Sequence, residues 1–296
     1  MRIVVFGAGS LGSLLGGLLA REHRVTLVGR DPHMAAVRKN GLRIAGEITC
    51  HTFPETSTDG ASLEADLACV TVKSYDTDEA ARTLATGDYT TVLSLQNGMG
   101  NEERLETELD CPILAGTASY GALFEKPGHI LSTGVGEVIL GNPDGGTNSH
   151  ANAVGEAFAE SGIETTVAPD MPRRLWEKCA INAAINPITA LTGLENGAVL
   201  DEPAYSIARD AARETARVAR ENGVDLPEAT AIDALHRVAT ATEKNTSSMA
   251  QDFENGQRTE IDAINAFVVR WAKESVPTNA LLTGLIKTWE RSKGLR

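Results

Sequence analysis

The chain opens on "RIVVF" (Arg2–Phe6), a short β-branched apolar run of the kind that makes a buried strand. It passes at once into "GAGSLG" and the apolar stretch "SLLGGLLARE", which reads as a helix. A second β run, "RVTLVGR", completes a strand–helix–strand unit. Further strands are predicted at Asp66–Lys73 and Thr90–Gln96, with a helix at Asp76–Ala85 between them. Such alternation builds a parallel, doubly wound sheet. β-like runs from Pro112 to Gly141 suggest an antiparallel extension of it. A turn-rich "NPDGGTNSH" follows, and one more helix and strand, ending near Val167, would close a first domain over residues 1–168.

Beyond Pro169 the apolar period becomes helical. Helices are predicted at Arg173–Asn186, Pro203–Asn222, Glu228–Arg237, Thr246–Asn255, Glu260–Glu274 and Pro277–Glu290. Pro187 should end or kink the first of these. Residues 169–296 therefore read as a second, all-helical domain, with a cleft expected between the two.

Within these elements some polar residues are out of place. In "LWEKCAINAAINPITAL" (Leu175–Leu191), Lys178, Asn182 and Asn186 interrupt an otherwise apolar helix every fourth residue. Residues at that spacing share a helix face. Their flanks are small or apolar on several sides, so the stripe should face water or a polar cleft. An ordinary wet face would carry Glu, Lys or Gln, since asparagine is a poor helix former. Asn245, Ser248 and Asp252 make a second predicted stripe. Glu260 is expected at the first position of a new helix, with Thr259 and Asp262 as a variant capping box. There it has an ordinary explanation in the helix dipole.

The first domain carries its own chemistry. Gly7, Gly9 and Gly12 form G-x-G-x-x-G between a strand and a helix, the context that gives this motif meaning. With Ala8, Ser10 and Leu11 they would wrap a pyrophosphate at the free N–H groups of the helix N-terminus. At the end of the second strand stands Arg30, which suits the 2′-phosphate of NADP; the neighbouring Asp31 leaves a carboxylate for NAD as the alternative. Lys73 and Asn97 fall at carboxyl ends of predicted parallel strands, where open α/β sheets bind ligands.

Composition narrows the partners. Over 296 residues the net charge is −13, which argues against nucleic acid or an anionic membrane. Four cysteines and six histidines show no metal-ligand spacing. No run approaches the roughly 18 apolar residues of a membrane span, and a cytoplasmic protein is expected.

Taken together, "GAGSLG", "VKSYD", "LQNGMG", "LWEKCAINAAINPITAL", Asn196–Gly197, "KNTSSMAQDFENGQRTEIDAINAF" and "VPTN" resemble, in order and over the whole chain, the ketopantoate reductase (2-dehydropantoate 2-reductase) family. The resemblance implies an N-terminal Rossmann domain and a C-terminal helical domain like that of 6-phosphogluconate dehydrogenase. It implies NADPH-dependent reduction of ketopantoate to (R)-pantoate, in pantothenate and coenzyme A biosynthesis. Position by position, Lys178 matches the general acid, with Glu260 as the acid that helps hold substrate and cofactor ribose. Asn97, Asn182, Asn186, Asn196, Asn245 and Ser248 are the substrate-binding candidates. The glycine loop, Arg30, Lys73, Asn97, Ala122 and Glu260 are the cofactor-binding ones. A related 2-oxo-acid reductase on the same scaffold is the alternative, and a non-catalytic NADP-binding regulator the more distant one. Whether the chain forms a homodimer stays open.

Overall fold

The computed structural model describes residues 1–296. Two compact units result: residues 1–96 with 101–171, and residues 97–100 with 172–296. In chain order the first holds β1 (Arg2–Phe6), α1 (Ser10–Leu19), β2 (Arg24–Val28), α2 (His33–Asn40), β3 (Leu42–Gly46), β4 (Cys50–Thr52), β5 (Glu55–Ser57), β6 (Glu64–Val70), α3 (Thr77–Leu84), β7 (Asp88–Ser94), α4 (Asn101–Glu106), β8 (Ile113–Ala118), β9 (Gly121–Lys126), β10 (His129–Gly134), β11 (Val138–Gly141), α5 (Ser149–Glu160) and β12 (Thr165–Val167).

Eight of these strands form one sheet in the order β12-β11-β8-β7-β6-β1-β2-β5. From β5 across to β8 every pairing is parallel. β1 lies between β2 and β6, so the direction of winding reverses there, and the loop that follows β1 is the switch point where such sheets bind ligands. α1 reaches close to the strands because it carries Gly16 and Gly17. A Cβ on Gly16 would collide with Leu27, and one on Gly17 with Ile44.

The antiparallel extension is smaller than the sequence suggests. The one antiparallel pairing in the main sheet is β11 against β8, and β12 follows β11 in parallel. β9 and β10 leave it for a second sheet, ordered β4-β3-β10-β9. Lys73 and Asn97 also sit later than expected, each three residues past the end of its strand, β6 and β7 respectively.

The second unit holds α6 (Met171–Thr192), α7 (Ala204–Glu221), α8 (Glu228–Ala241), α9 (Ser248–Glu254), α10 (Asn265–Trp271) and α11 (Pro277–Ser292). Buried alanines on α6, α7 and α8 let these helices approach closely. α6 contributes to three apolar clusters at once: through Trp176, Cys179 and Ala180, through Ala184, Ile185 and Ile188, and through Ala183 and Ala190. No helix is long and apolar enough to cross a membrane.

Two helix expectations need correction. α6 does not stop at Asn186; it runs through Pro187 to Thr192. Proline lacks the N–H that would bond the carbonyl four residues back, which is Ala183 O. That carbonyl instead accepts from buried Asn265 Nδ2 at 3.0 Å, a bond supplied from α10. Asn265→Ala should therefore lower stability by about 1–3 kcal/mol, the cost of a buried unmet carbonyl. Urea unfolding would show it as a lower midpoint with an unchanged slope; an unmoved midpoint would refute the compensation.

Nor does a helix begin at Glu260. Residues 260–264 form a turn, and α10 begins only at Asn265 and ends at Trp271. The capping box fails because its members are engaged elsewhere. The Thr259 N–H, which Asp262 would accept in the box, donates to Glu290 at 2.8 Å, and Asp262 pairs with Lys287 at 2.8 Å and Arg296 at 2.6 Å.

Candidate active site

In the first unit the glycine loop is tightly built. Gly7 N and Ala8 N both donate to Val28 O, at 3.0 and 2.8 Å, which ties the loop to the end of β2. Gly7 has φ +114°, which favours glycine, and its missing Cβ would strike Val72 N. A Cβ on Gly12 would overlap Gly7 O and Thr71 Oγ1. Gly9 differs: nothing lies within 4 Å of where its Cβ would be. It is the N-cap of α1 with no side-chain cap, so the first N–H groups of that helix are left for a ligand. Ser10 and Leu11 open the helix, and Ala8 packs against the loop after β2. An open cradle at an uncapped helix N-terminus fits a pyrophosphate. The sequence reading missed Thr71, whose hydroxyl donates to Gly7 O at 2.9 Å and holds the loop from β6's end; its signal was its place in "VTVK".

Arg30 is exposed just beyond β2, with its carbonyl accepting from His33 N and Met34 N. Lys73 is half-buried and precedes a single 3₁₀ turn, Ser74–Asp76. Ala122 lies in β9, paired with Ser132 of β10, and so belongs to the small sheet.

In the second unit Lys178 and Asn182 are half-buried on α6, and Asn186 is buried. Glu260, 5% exposed, accepts from Asn97 Nδ2 at 3.4 Å. The Asn97 loop belongs to this unit because its glycines fold onto the 260–264 turn. Met99 N donates to Ala263 O at 2.9 Å, and a Cβ on Gly98 would run into Ala263. Burial pushes the Lys178 ammonium down to about 8, while the Glu260 carboxylate works the other way by favouring the charged form. The residue keeps some exposed surface, yet its ammonium is enclosed by protein, and that enclosure sets the direction. Lys178, Glu260 and Asn97 thus come together from α6, the turn before α10 and the loop after β7.

Asn196 is buried in a 3₁₀ turn (Asn196–Leu200), donating through Nδ2 to Thr242 and through its backbone to Asn245 O. Its Oδ1 is buried without a partner. The stripe expected of Asn245, Ser248 and Asp252 does not form one helix face: α9 starts at Ser248, and Asn245 sits in the exposed turn before it. The cap is Ser247, which accepts from Ala250 N and shares a 2.7 Å bond with Thr189 of α6. Sequence reading passed over it because the two serines of "TSSM" are indistinguishable without knowing where the helix begins.

A glycine-rich turn at the switch point of a parallel sheet and a lysine–glutamate pair among helices are the arrangement expected of a nucleotide-dependent oxidoreductase. The chain belongs to the ketopantoate reductase family. Residues 3–145 match the model described as ketopantoate reductase PanE/ApbA, and residues 170–290 its C-terminal counterpart. The 2-dehydropantoate 2-reductase of Halobacterium salinarum is 39% identical, over 98% of this chain and 99% of its own length. The crystal structure of a PanE/ApbA family ketopantoate reductase from Ralstonia eutropha superposes with a TM-score of 0.91 at 32% identity, covering 99% of this chain and 100% of that one. D-mandelate dehydrogenase, solved with NADH and anilino(oxo)acetate, superposes at 0.92 over 100% of both chains with 24% identity, a likeness of fold alone.

Proposed function

We propose that this chain is an NADPH-dependent reductase that converts 2-dehydropantoate to (R)-pantoate, with Lys178 as general acid. The observation that carries the reading is the half-buried Lys178 beside Glu260, in a chain of this family. NADPH, when bound, supplies the hydride that adds to the C2 ketone. The glycine loop holds its pyrophosphate, and Arg30 pairs with its 2′-phosphate, with Lys73 and Ala122 as further cofactor contacts. Lys178 Nζ hydrogen-bonds the ketone oxygen and gives it a proton as negative charge develops there. Asn182, Asn186 and Asn196, with Asn245 and Ser248, orient the carboxylate and hydroxyl of the substrate without adding charge. Asn97 and Glu260 hold substrate and ribose. Most cofactor contacts thus fall in residues 1–168 and most substrate contacts in 169–296, with Asn97 and Glu260 as the exceptions.

Steady-state kinetics with ketopantoate and each cofactor test this. NADPH should give the higher kcat/KM. Arg30→Ala should cut that value roughly 10- to 100-fold, the range for losing a charge-assisted contact, and leave the NADH value nearly unchanged. Ketoisovalerate and acetolactate should be poorer substrates. Absence of turnover with either cofactor would overturn the proposal.

A further inference from the structure

Glu290 lies on α11, thirty residues beyond Glu260, and is fully buried. A buried carboxylate needs partners that repay its lost hydration. One of its oxygens accepts from both the backbone N–H of Thr259, at 2.8 Å, and the Thr259 hydroxyl, at 2.7 Å. The other accepts from Arg296 Nε. Thr259 Oγ1 in turn accepts from Ile261 N at 3.3 Å, so the residues on both sides of Glu260 are held through one hydroxyl. The far side of the same turn is fixed by charge: Asp262 is gripped by Lys287 of α11 and by Arg296.

These contacts explain why Glu260 is in a turn at all. Left to local pattern, Thr259 would cap a helix running on from Glu260. The carboxylate of Glu290 takes the Thr259 N–H that Asp262 would have accepted, with the hydroxyl proton beside it, and Asp262 is drawn towards α11. The chain then turns over residues 260–264 before α10 can start, and Glu260 stands on that turn, against Asn97 and close enough to act on Lys178.

We infer that Glu290 is a positioning residue for the reaction: through Thr259 it fixes the turn that places Glu260 beside Lys178. Being fully buried, it acts through Thr259. The inference rests on the proposed role of Lys178, so its test uses a readout that needs no turnover. The rate at which acetic anhydride labels Lys178 in the full-length protein, followed against pH by peptide mass spectrometry, reports where that ammonium loses its proton. Glu260 is the carboxylate that favours the charged form of Lys178. If the turn loosens, that support weakens and deprotonation moves to lower pH.

The wild type should show a midpoint near 8. Thr259→Val, which keeps shape but removes the hydroxyl, should lower it by at least about half a pH unit, a threefold change in acidity. Glu290→Gln should act in the same direction, and Thr259→Ser should restore the wild-type midpoint. Thr259→Val decides the matter even if Glu290→Gln fails to fold. Should the variants melt earlier while the Lys178 midpoint stays in place, Glu290 is a structural residue only and the inference falls. Wild-type protein that labels as expected but does not reduce ketopantoate would instead sink the functional reading, leaving the clamp intact.

Discussion

Replacing Lys178 by methionine should lower kcat for ketopantoate reduction at least about 100-fold, the usual scale for a lost general acid. Affinity for NADPH should be largely kept, because the glycine loop, Arg30 and Lys73 are untouched. The same lysine sets the pH dependence. Only its protonated form can donate, and burial has brought its pKa from 10.5 to about 8, so kcat should fall as pH rises through about 8. The variant's residual rate should lack that limb. Stability carries the opposite sign. Between about 8 and 10.5 the folded protein binds fewer protons at Lys178 than the unfolded chain, so this residue contributes increasing stability as pH rises across that window. Below about 8 the enclosed ammonium is a fixed cost. Methionine, of similar length and uncharged, removes it but leaves the buried Glu260 carboxylate without its cation, so the two effects oppose each other and the melting temperature at pH 7 should move little while activity collapses. Wild-type-like kcat in Lys178→Met would refute the assignment; a steep loss of stability would instead show that the lysine is structural.

The stripe containing this residue was legible because it depends on nothing but helical spacing. Lys178, Asn182 and Asn186 are separated by one turn each, and their small flanks already imply neighbours on several sides, which the three apolar clusters around α6 supply. The glycine loop was equally local: strand, turn and helix are contiguous, and Gly7 and Gly12 answer contacts within the loop or at the adjoining strand end, while Gly9 leaves open space. What escaped the sequence lies in partners distant along the chain. Pro187 can remain inside α6 only because Asn265 bonds the Ala183 carbonyl. The turn at Glu260 replaces a predicted helix because Glu290 and Asp262's cations outweigh a local capping preference. β4 and β5 are three-residue strands with no buried position, and the alternation of β3 spans only Leu42–Ala45, too short a run to mark a strand. β3 finds its sheet through parallel pairing with β10, whose residues lie far along the chain. Periodicity reports which face a residue occupies; it carries no information about which remote side chain meets it there.

The phosphate loop should yield the second large effect, through a contrast between two glycines of one motif. At Gly12 the empty Cβ position lies inside the protein, overlapping Gly7 O and Thr71 Oγ1. Gly12→Ala must push α1 away from the loop, so it should destabilise the protein by about 1–3 kcal/mol as an overpacked site does. At Gly9 the empty position opens onto free space, and its φ of −82° is one that any L-residue adopts. Gly9→Val should therefore change the stability of the unliganded protein by no more than about 0.5 kcal/mol. Its side chain would, however, stand where a pyrophosphate approaches the uncapped start of α1. Losing two hydrogen bonds to a charged phosphate, at about 1.5–3 kcal/mol each, implies at least about 100-fold weaker cofactor binding. Thermal unfolding with and without NADPH separates the two. A ligand that binds only the folded state raises the melting temperature by an amount that grows with the logarithm of its concentration over Kd. Gly12→Ala should melt early even without cofactor. Gly9→Val should melt normally and gain little from NADPH at concentrations that clearly stabilise the wild type. If Gly9→Val keeps the full cofactor-induced rise, the phosphates do not lie on this turn, and the role given to the glycine loop is wrong.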